Sequence, residues 1–280
     1  PNATLINFST PSGLVAEAVQ NNSKIRMVGL CNIPINMFTD ARKQLGDDID
    51  ITYVGLNHLS WITSIKKEGK EILPDILDTY HDEDFDNKYF RYCRGIPCAY
   101  LNYYYRTRER LAELQEDAKT KTRGEVCMDI EAKLLEMFSD TTLYTKPDEL
   151  NKRGGALYSE AAVSLLNAIE NNLNEIHVIN VKNNGALPWM ADDDVVEVKT
   201  LVNRDQLLPI PVRGFDNPHI CELMRTVKAY EKHAARAALT GDRDEAIRAL
   251  MIHPLIGDVN TAVACFDEML EAHRRYLPQF

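Results

Sequence analysis

Two potential metal ligands follow short apolar segments early in the chain. Cys31 ends the run "MVGLC" and His58 follows "YVGLN". Thiolate and imidazole are good ligands for a divalent ion, and active sites of α/β sheets collect at the carboxyl ends of strands. The alternative is a small core cysteine and a hydrogen-bonded structural histidine. Spacing alone favours that alternative, and ligand type alone would indicate zinc.

A cluster of tyrosines could supply a base. The segment "AYLNYYY" holds four tyrosines in six positions, and Tyr100 and Tyr104 would share one face of a helix. A phenol acts as a general base when nearby cations lower its pKa from about 10. An aromatic core stripe would give the same pattern, and the pattern alone favours that interpretation.

Arginines and a polar loop are further candidates. Arg123 and Arg153 lie beside expected helix boundaries, where backbone N–H groups help to bind anions. Ordinary solvated charges are the alternative, which the sequence alone favours. The segment "KNNGALPWM" (182–190) follows a strand and is either a simple turn or part of a binding loop.

Composition narrows the class of protein. The 280 residues are 45% apolar and 26% charged, as in a globular chain of one large or two small domains. The net charge of −10 argues against non-specific nucleic-acid binding. No apolar run approaches the roughly 20 residues of a membrane helix. The six cysteines form no CxxC pair, which favours reduced thiols and a cytoplasmic location.

The order of elements predicts an α/β or α+β fold with a small mixed sheet and long helices. A short strand runs from residue 4 into a turn at Pro11–Gly13, and residues 49–72 form two strands across a glycine-containing turn. Further strands are expected within 24–31, 175–190 and 195–203. Helices are expected at 14–22, 36–46, 154–172, 217–240 and 242–276, the last broken at 253–258, with two more in 99–137 separated near Thr120–Gly124. Dinucleotide GxGxxG, phosphate GxxxxGK[ST] and GxSxG motifs are absent.

Taken in order, these segments resemble glycoside hydrolase family 4, the NAD- and metal-dependent glycosidases. The resemblance runs through "INFSTPSGLVAEAV", "GLCNIPINM", "GLNHLSW", "PCAYLNYYY", "KTRGEV", "KRGGALYSEAAV", "HVINVKNNGALP", "KAYEKHAARAALTGDRDEAIRALMIHPL" and "EAHRRYLPQ", nearly the whole chain. Cys31 followed by Asn32 and "IPIN" resembles the 6-phospho-β-glucosidase subgroup.

The resemblance implies a mechanism that differs from the two-carboxylate scheme of most glycosidases. NAD⁺ removes a hydride from C3 of the sugar, a tyrosine removes the acidified proton on C2, and a divalent ion stabilises the resulting enediolate. The aglycone leaves from C1, water adds, and NADH restores C3. The expected substrate is a 6-phospho-β-glucoside, such as a phosphorylated disaccharide or aryl glucoside.

The resemblance also assigns residues. Cys31 and His58 match the metal ligands, and the family's usual ion is Mn²⁺ rather than zinc. Tyr100 matches the catalytic base, with Tyr103 and Tyr104 as alternatives. Asn32 stands where some members carry an acidic proton donor, and Asn is a poor acid.

Substrate contacts are expected from four positions. Arg123 matches an arginine that holds the phosphate or hydroxyls, and Asn32 and Asn57 are further candidates. Thr10 replaces the asparagine of the family's usual "TNP", which would alter a substrate contact.

The resemblance implies two parts. Residues 1–30 would be the last strands of a Rossmann-like NAD-binding domain, and residues 31–280 a catalytic domain like the C-terminal domain of lactate dehydrogenase. Because members of the family carry most of the Rossmann domain before these strands, most of the cofactor-binding residues are expected to precede Pro1. A homodimer or homotetramer is expected.

Three alternatives stay open on the sequence. One is another family 4 specificity, for α-6-phosphoglucosides, galactosides or galacturonides. Another is an inactive fragment without its cofactor domain. A third is a 2-hydroxy-acid dehydrogenase, which the Cys–His pair and the tyrosines fit poorly.

Overall fold

A computed structural model describes residues 3–153 and 158–280. The strands in these residues are β1 (Thr4–Asn7), β2 (Arg26–Gly29), β3 (Ile49–Leu56), β4 (Leu59–Lys67), β5 (Lys70–Glu71), β6 (Ile96–Pro97), β7 (Glu175–Lys182), β8 (Val195–Val202) and β9 (Leu207–Pro209). The α-helices are α1 (Ser12–Asn22), α2 (Ile33–Leu45), α3 (Leu73–Ile76), α4 (Asn87–Cys93), α5 (Asn102–Tyr105), α6 (Thr107–Asp117), α7 (Arg123–Phe138), α8 (Glu149–Arg153), α9 (Tyr158–Glu170), α10 (Pro218–Thr240), α11 (Arg243–Ile252) and α12 (Val259–His273). Short 3-10 helices cover Ala99–Leu101 and Arg274–Tyr276.

The first sheet has the strand order β1-β2-β7-β8-β9. β1 and β2 are parallel, so the chain must cross over between them, and α1 makes that crossover. The other pairs are antiparallel. Gly29 of β2 lies opposite Asn180 of β7, which in turn lies opposite Glu197 of β8. These three residues therefore form one row across the middle of the sheet.

The second sheet is built on the β3–β4 hairpin, to which β5 and β6 add short pairings. The hairpin register runs from Ile49 opposite Lys67 to Leu56 opposite Leu59. Only Asn57 and His58 remain for the turn, and His58 has a positive φ of 65°. Asn57, the other turn residue, is not among the positive-φ residues, so only the second turn position has a positive φ, as in a type II turn.

One continuous apolar core joins both sheets to the helices. Its fully buried members include Val54, Trp61, Leu165, Ile179 and Val198, which come from both sheets and from α9. α10 packs against α1, and a smaller apolar cluster joins α10, α11 and α12 around Phe266. Every helix in the described residues is too short or too polar to span a bilayer.

The predicted fold class is confirmed, and most predicted elements are present. One detail differs: residues 49–72 form three strands with two turns. The β3–β4 turn is Asn57–His58 and contains no glycine, whereas the β4–β5 turn is Glu68–Gly69. Gly55 lies inside β3, where the backbone of Ser60 approaches too closely for a side chain. The predicted helix at 154–172 is observed from Tyr158, and residues 154–157 lie outside the described part of the chain.

The proposed division after residue 30 stays a prediction. β1 and β2, on its N-terminal side, share a sheet with β7, β8 and β9 from the other side.

We predict that Gly55→Ala destabilises the protein. A Cβ at this position would lie 2.4 Å from Ser60 Cβ, 2.6 Å from Ser60 Cα and 2.7 Å from Leu59 O, atoms that cannot move without opening the hairpin. The free energy of unfolding should fall by about 2 kcal/mol or more, as for other overpacked cores. Urea titration followed by circular dichroism measures the change.

Gly124→Ala is the matched control. The nearest atom to its added Cβ is Thr122 Oγ1 at 3.8 Å, and the position lies in the first turn of α7. Its stability should stay the same or rise, since alanine favours helices. Equal stability of the two variants would contradict the assigned β3–β4 register.

Candidate active site

Cys31 lies two residues beyond the end of β2, just before α2. It is 4% exposed, and the backbone N–H of Ile33 donates to its sulfur over 3.5 Å. Burial, followed by the negative charge of Glu197, raises the pKa of the Cys31 thiol to about 12, although a hydrogen bond with the Asn57 side chain lowers it. The thiol is therefore protonated at neutral pH unless a metal displaces the proton.

His58 occupies the tip of the β3–β4 hairpin, directly after Asn57. Its ring nitrogens have no hydrogen-bond partner within the described residues. Burial lowers the pKa of His58 to about 4, so its imidazole is neutral at pH 7. Neutral imidazole with free nitrogens is the form that binds metals.

The rings of His58 and Tyr100 are stacked. Their centroids are 4.1 Å apart, and their planes differ by 19°. Burial is the main cause of the raised pKa of Tyr100, and an electrostatic interaction with Cys31 is the next largest cause. The structure therefore brings the predicted base together with both predicted ligands. Tyr100 is 44% exposed, so its ring remains accessible.

A cavity of about 250 Å³ opens beside this stack. Its walls include Asn57, His58, Tyr100, Tyr103, Tyr104, Tyr230, Glu231 and His253. A larger cavity of about 630 Å³ lies between α2, β3, α9 and β7, and it includes Cys31 but neither His58 nor Tyr100. We assign the chemistry to the smaller cavity because it contains the imidazole and the phenols.

The other predicted residues surround this centre to different degrees. Asn32 occupies the N-cap position of α2 without a side-chain capping hydrogen bond, and its Oδ1 lies 4.0 Å from the Cys31 sulfur. Thr10 is exposed and precedes Pro11, which lines the smaller cavity. Asn57 is buried: its Oδ1 accepts from the Ser12 N–H at 3.0 Å.

The arginines lie on the neighbouring helices. Arg123 begins α7, and its guanidinium donates to the Lys152 carbonyl over 3.1 Å. Within the described residues its guanidinium makes no hydrogen bond with Cys31, His58 or Tyr100. Arg153 and Cys31 both influence the same side chain, Tyr158. Burial raises the pKa of Tyr158, Cys31 raises it further, and the charge of Arg153 lowers it.

The loop "KNNGALPWM" is held by its own side chains. Asn183 is fully buried, and its amide donates to the carbonyls of Leu187 and Met190, each at 3.0 Å. Its Oδ1 accepts from the Leu187 N–H at 2.7 Å. These bonds stabilise the turn and leave the amide without free donors for a ligand, which favours the simple-turn interpretation.

The sequence interpretation missed a buried carboxylate beneath the site. Glu197 is 0% exposed and accepts hydrogen bonds from Tyr53 OH (2.6 Å), Asn180 Nδ2 (3.0 Å) and Asn57 Nδ2 (3.2 Å). Burial raises its pKa. The available signal was a glutamate among valines in "VVEVKTLV", where a fully buried strand would otherwise be apolar.

A second buried group lies between α1 and α10. The Lys228 ammonium pairs with Glu17 at 2.9 Å and with Glu231, which lines the smaller cavity. Glycine at position 13 lets α1 approach Asn57 and Glu231 closely. A Cβ there would lie 2.9 Å from Asn57 Cβ and 3.2 Å from Glu231 Oε1.

The donor set fits a divalent cation bound partly by ligands from outside the protein. Cys31 supplies a sulfur and His58 a free neutral imidazole nitrogen, and both are accepted ligands for transition metals. Among residues 3–153 and 158–280, no group of three or more His, Cys, Asp or Glu side chains could hold a metal. Two protein ligands would leave positions for water or substrate oxygens.

Comparisons with known proteins identify the family to which the chain is similar. Residues 1–47 match the model described as "Family 4 glycosyl hydrolase", and residues 53–256 match "Family 4 glycosyl hydrolase C-terminal domain". A probable 6-phospho-beta-glucosidase of Bacillus subtilis is 36% identical over 298 residues, which cover 100% of this chain and 67% of that protein. The chain thus spans about two thirds of the length of this relative.

Solved structures support the same placement. The 6-phospho-beta glucosidase from Thermotoga maritima, determined with manganese, NAD⁺ and glucose-6-phosphate, superposes with a TM-score of 0.86 at 32% identity, covering 99% of this chain and 67% of that one. A lactate dehydrogenase from a Medee basin deep-sea metagenome library has a TM-score of 0.50 at 16% identity, covering 84% of this chain and 64% of that one. The second likeness concerns the fold alone.

We predict that His58 makes stability depend on pH. Its pKa of about 4 lies below the ordinary 6.5, so between these values the unfolded chain binds more protons, and stability falls as the pH is lowered. At about 1.4 kcal/mol per pKa unit, this residue should contribute a loss of about 2 kcal/mol between pH 7 and pH 5. Urea unfolding at the two pH values measures the total change.

The test compares wild type with His58→Asn, because asparagine tolerates the positive φ. The variant should lose about 2 kcal/mol less than wild type over the same interval. His273→Asn, at the exposed end of α12, should behave as wild type. Identical pH profiles for wild type and His58→Asn would show that the imidazole is not held neutral by burial.

Proposed function

The chain belongs to the family 4 glycosyl hydrolases, and from that membership we propose that it carries the catalytic part of an enzyme that hydrolyses 6-phospho-β-glucosides. The activity is that of a glycosidase dependent on NAD and a divalent metal, Mn²⁺ in preference to zinc. The observation that carries the proposal is the stack of Tyr100 on His58 beside the buried Cys31. These are the residues that the mechanism requires as base and metal ligands.

The expected substrate is a phosphorylated disaccharide or aryl glucoside. The Bacillus relative's name supports the β specificity, and the Thermotoga structure supports a 6-phosphorylated glucose unit. Arg123, Thr10, Asn32 and Asn57 are the proposed substrate contacts. Of these, Asn32 and Asn57 lie next to the metal ligands in the chain and in space.

The two cofactors supply reversible hydride transfer at C3 of the sugar and Lewis-acid polarisation of the neighbouring oxygens. Cys31 and His58 hold the cation, and the neutral imidazole is ready to do so at pH 7. The Cys31 thiol must release its proton to bind, so metal affinity should rise with pH.

Tyr100 takes the proton from C2. By itself the phenol keeps its own proton, because burial raises its pKa. Positive charge at the Cys31–His58 pair favours the phenolate, and the ring stack keeps the phenol beside that charge. Tyr100 is therefore expected to act as a base only when the cation is bound. The proton that it removes is the one on C2 of a sugar already oxidised at C3.

None of the predicted site residues is an acid that could protonate the leaving group. Asn32 lies 4.0 Å from the Cys31 sulfur but has no titratable proton. We infer that water supplies this proton, or that substrates with good leaving groups need none. Asn32 then acts as a hydrogen-bond donor to the substrate.

The wider setting is also part of the proposal. The six cysteines all lie within the described residues and are free thiols, which supports a cytoplasmic location. A homodimer or homotetramer remains our expectation. The division into residues 1–30 of an NAD-binding domain and 31–280 of a catalytic domain is likewise proposed, with most cofactor contacts outside the second part.

The direct test measures release of 4-nitrophenol from its 6-phospho-β-glucoside by the complete gene product. Turnover should require both NAD⁺ and Mn²⁺, and the α-linked and unphosphorylated analogues should react far more slowly. Equal rates without NAD⁺ would exclude the redox mechanism. Faster reaction of the α-linked analogue would show that the enzyme has a different substrate specificity within the family.

We predict that Tyr100→Phe lowers kcat by about 10²–10⁴-fold, the usual contribution of a general base. Mn²⁺ affinity should stay within a few-fold of wild type, since the phenylalanine ring can still stack on His58. Tyr103→Phe is the matched control, because Tyr103 lines the same cavity without stacking on the imidazole. Normal turnover by Tyr100→Phe together with an inactive Tyr103→Phe would assign the base to Tyr103.

A further inference from the structure

The two segments that carry the predicted metal ligands are linked by hydrogen bonds to the same buried oxygen atom, one through Asn57 and the other through Asn180. Oε1 of Glu197 accepts from Asn57 Nδ2 at 3.2 Å and from Asn180 Nδ2 at 3.0 Å. Asn57 directly precedes His58 in the hairpin turn. The same Nδ2 of Asn180 also donates to the Gly29 carbonyl at 3.2 Å, two residues before Cys31.

The strand register explains why this oxygen can reach both segments. Gly29, Asn180 and Glu197 form the row across β2, β7 and β8, and Asn57 approaches that row from the second sheet. Gly29 has no side chain, and a Cβ there would lie 2.9 Å from Asn180 Cβ and 2.7 Å from Ser12 Oγ. A side chain at position 29 would therefore displace Asn180 or Ser12.

The other Glu197 oxygen has a different role. Oε2 accepts from Tyr53 OH at 2.6 Å, and Tyr53 is a buried core residue of β3. Tyr53 contacts neither Gly29 nor the Asn57–His58 turn through a hydrogen bond. It therefore anchors the carboxylate without touching the ligand-bearing segments.

From these contacts we propose that Glu197 is the positioning residue for the metal site, with Oε1 fixing the separation of Cys31 and His58. The inference rests on the proposed function, because it takes these two residues as the metal ligands. Glu197 itself binds no metal. It acts through the Asn57 and Asn180 amides, in the way that outer hydrogen bonds orient ligands in other metal sites.

The test compares two replacements by Mn²⁺ titration, read by the loss of the free-ion EPR signal. Glu197→Met keeps the length of the side chain but removes the acceptor, and its Mn²⁺ affinity should fall at least about tenfold. Glu197→Gln can keep an amide oxygen at the Oε1 position and donate to the Tyr53 hydroxyl, so it should restore affinity to within about threefold of wild type. Circular dichroism and urea unfolding verify that each variant is folded.

Two further variants separate positioning from general stability. Tyr53→Phe should lower stability yet bind Mn²⁺ within about threefold of wild type, because it leaves both Oε1 contacts in place. Asn180→Ala removes the hydrogen bond to the Gly29 carbonyl and should weaken Mn²⁺ binding. If Glu197→Met does not fold, this variant tests whether the hydrogen bonds of Glu197 position the metal ligands. Unchanged Mn²⁺ affinity in folded Glu197→Met or Asn180→Ala would overturn the proposal. So would equal losses in Glu197→Gln and Glu197→Met, which would indicate an effect of charge.

Turnover of the 4-nitrophenyl phosphoglucoside is measured separately, so that the two proposals can fail independently. Wild type that binds Mn²⁺ and shows the expected order of variants, yet hydrolyses no 6-phospho-β-glucoside, would support the role of Glu197 and reject the function. Active wild type whose folded variants keep full Mn²⁺ affinity would reject only the role of Glu197. Failure of wild type to bind Mn²⁺ would reject both.

Discussion

The approach of α1 to the two sheets is the contact on which the candidate site depends. The first turn of α1 lies against Asn57 and Asn180 at a distance that only glycine at position 13 permits. The Ser12 N–H, which has no partner within the helix, is satisfied by Asn57 Oδ1. A helix end, a hairpin turn and the central strand of the first sheet are thereby held at fixed separations, and the candidate site lies where they meet.

This junction is polar and buried, which makes it energetically demanding. Burial opposes the charge on Lys228, but Glu231 and Glu17 together raise its pKa and keep it ionised. Such a group contributes little net stability compared with an apolar core of the same shape, yet loss of one member leaves a buried charge uncompensated. The buried Lys228 group positions the elements around it, because its hydrogen bonds and those of Glu17 link α1, α10 and the first sheet.

Much of the fold and the centre of the site could be predicted from the sequence. Helical and strand patterns located most elements, and the ordered motifs identified Cys31, His58 and Tyr100, which the structure then brings together. The β3–β4 turn at Asn57–His58 could not be located from glycine, because Gly55 lies inside β3 at a close backbone contact and Gly69 belongs to the β4–β5 turn. Glu197 was missed for a related reason: its partners Tyr53, Asn57 and Asn180 are 144, 140 and 17 residues away, so no local pattern reveals them.

The protonation states of the candidate site bear on the proposed role of a cation. Around pH 7 the Cys31 thiol and the Tyr100 phenol retain their protons, since burial raises both pKa values, and the His58 imidazole is neutral because burial lowers its pKa. These three side chains therefore present donor atoms but no charge. If Cys31 and His58 hold a divalent cation as proposed, that cation would favour the thiolate as a ligand and the phenolate as a neighbour. Burial, which suppresses the reactivity of each group separately, would then make the proposed base dependent on the metal.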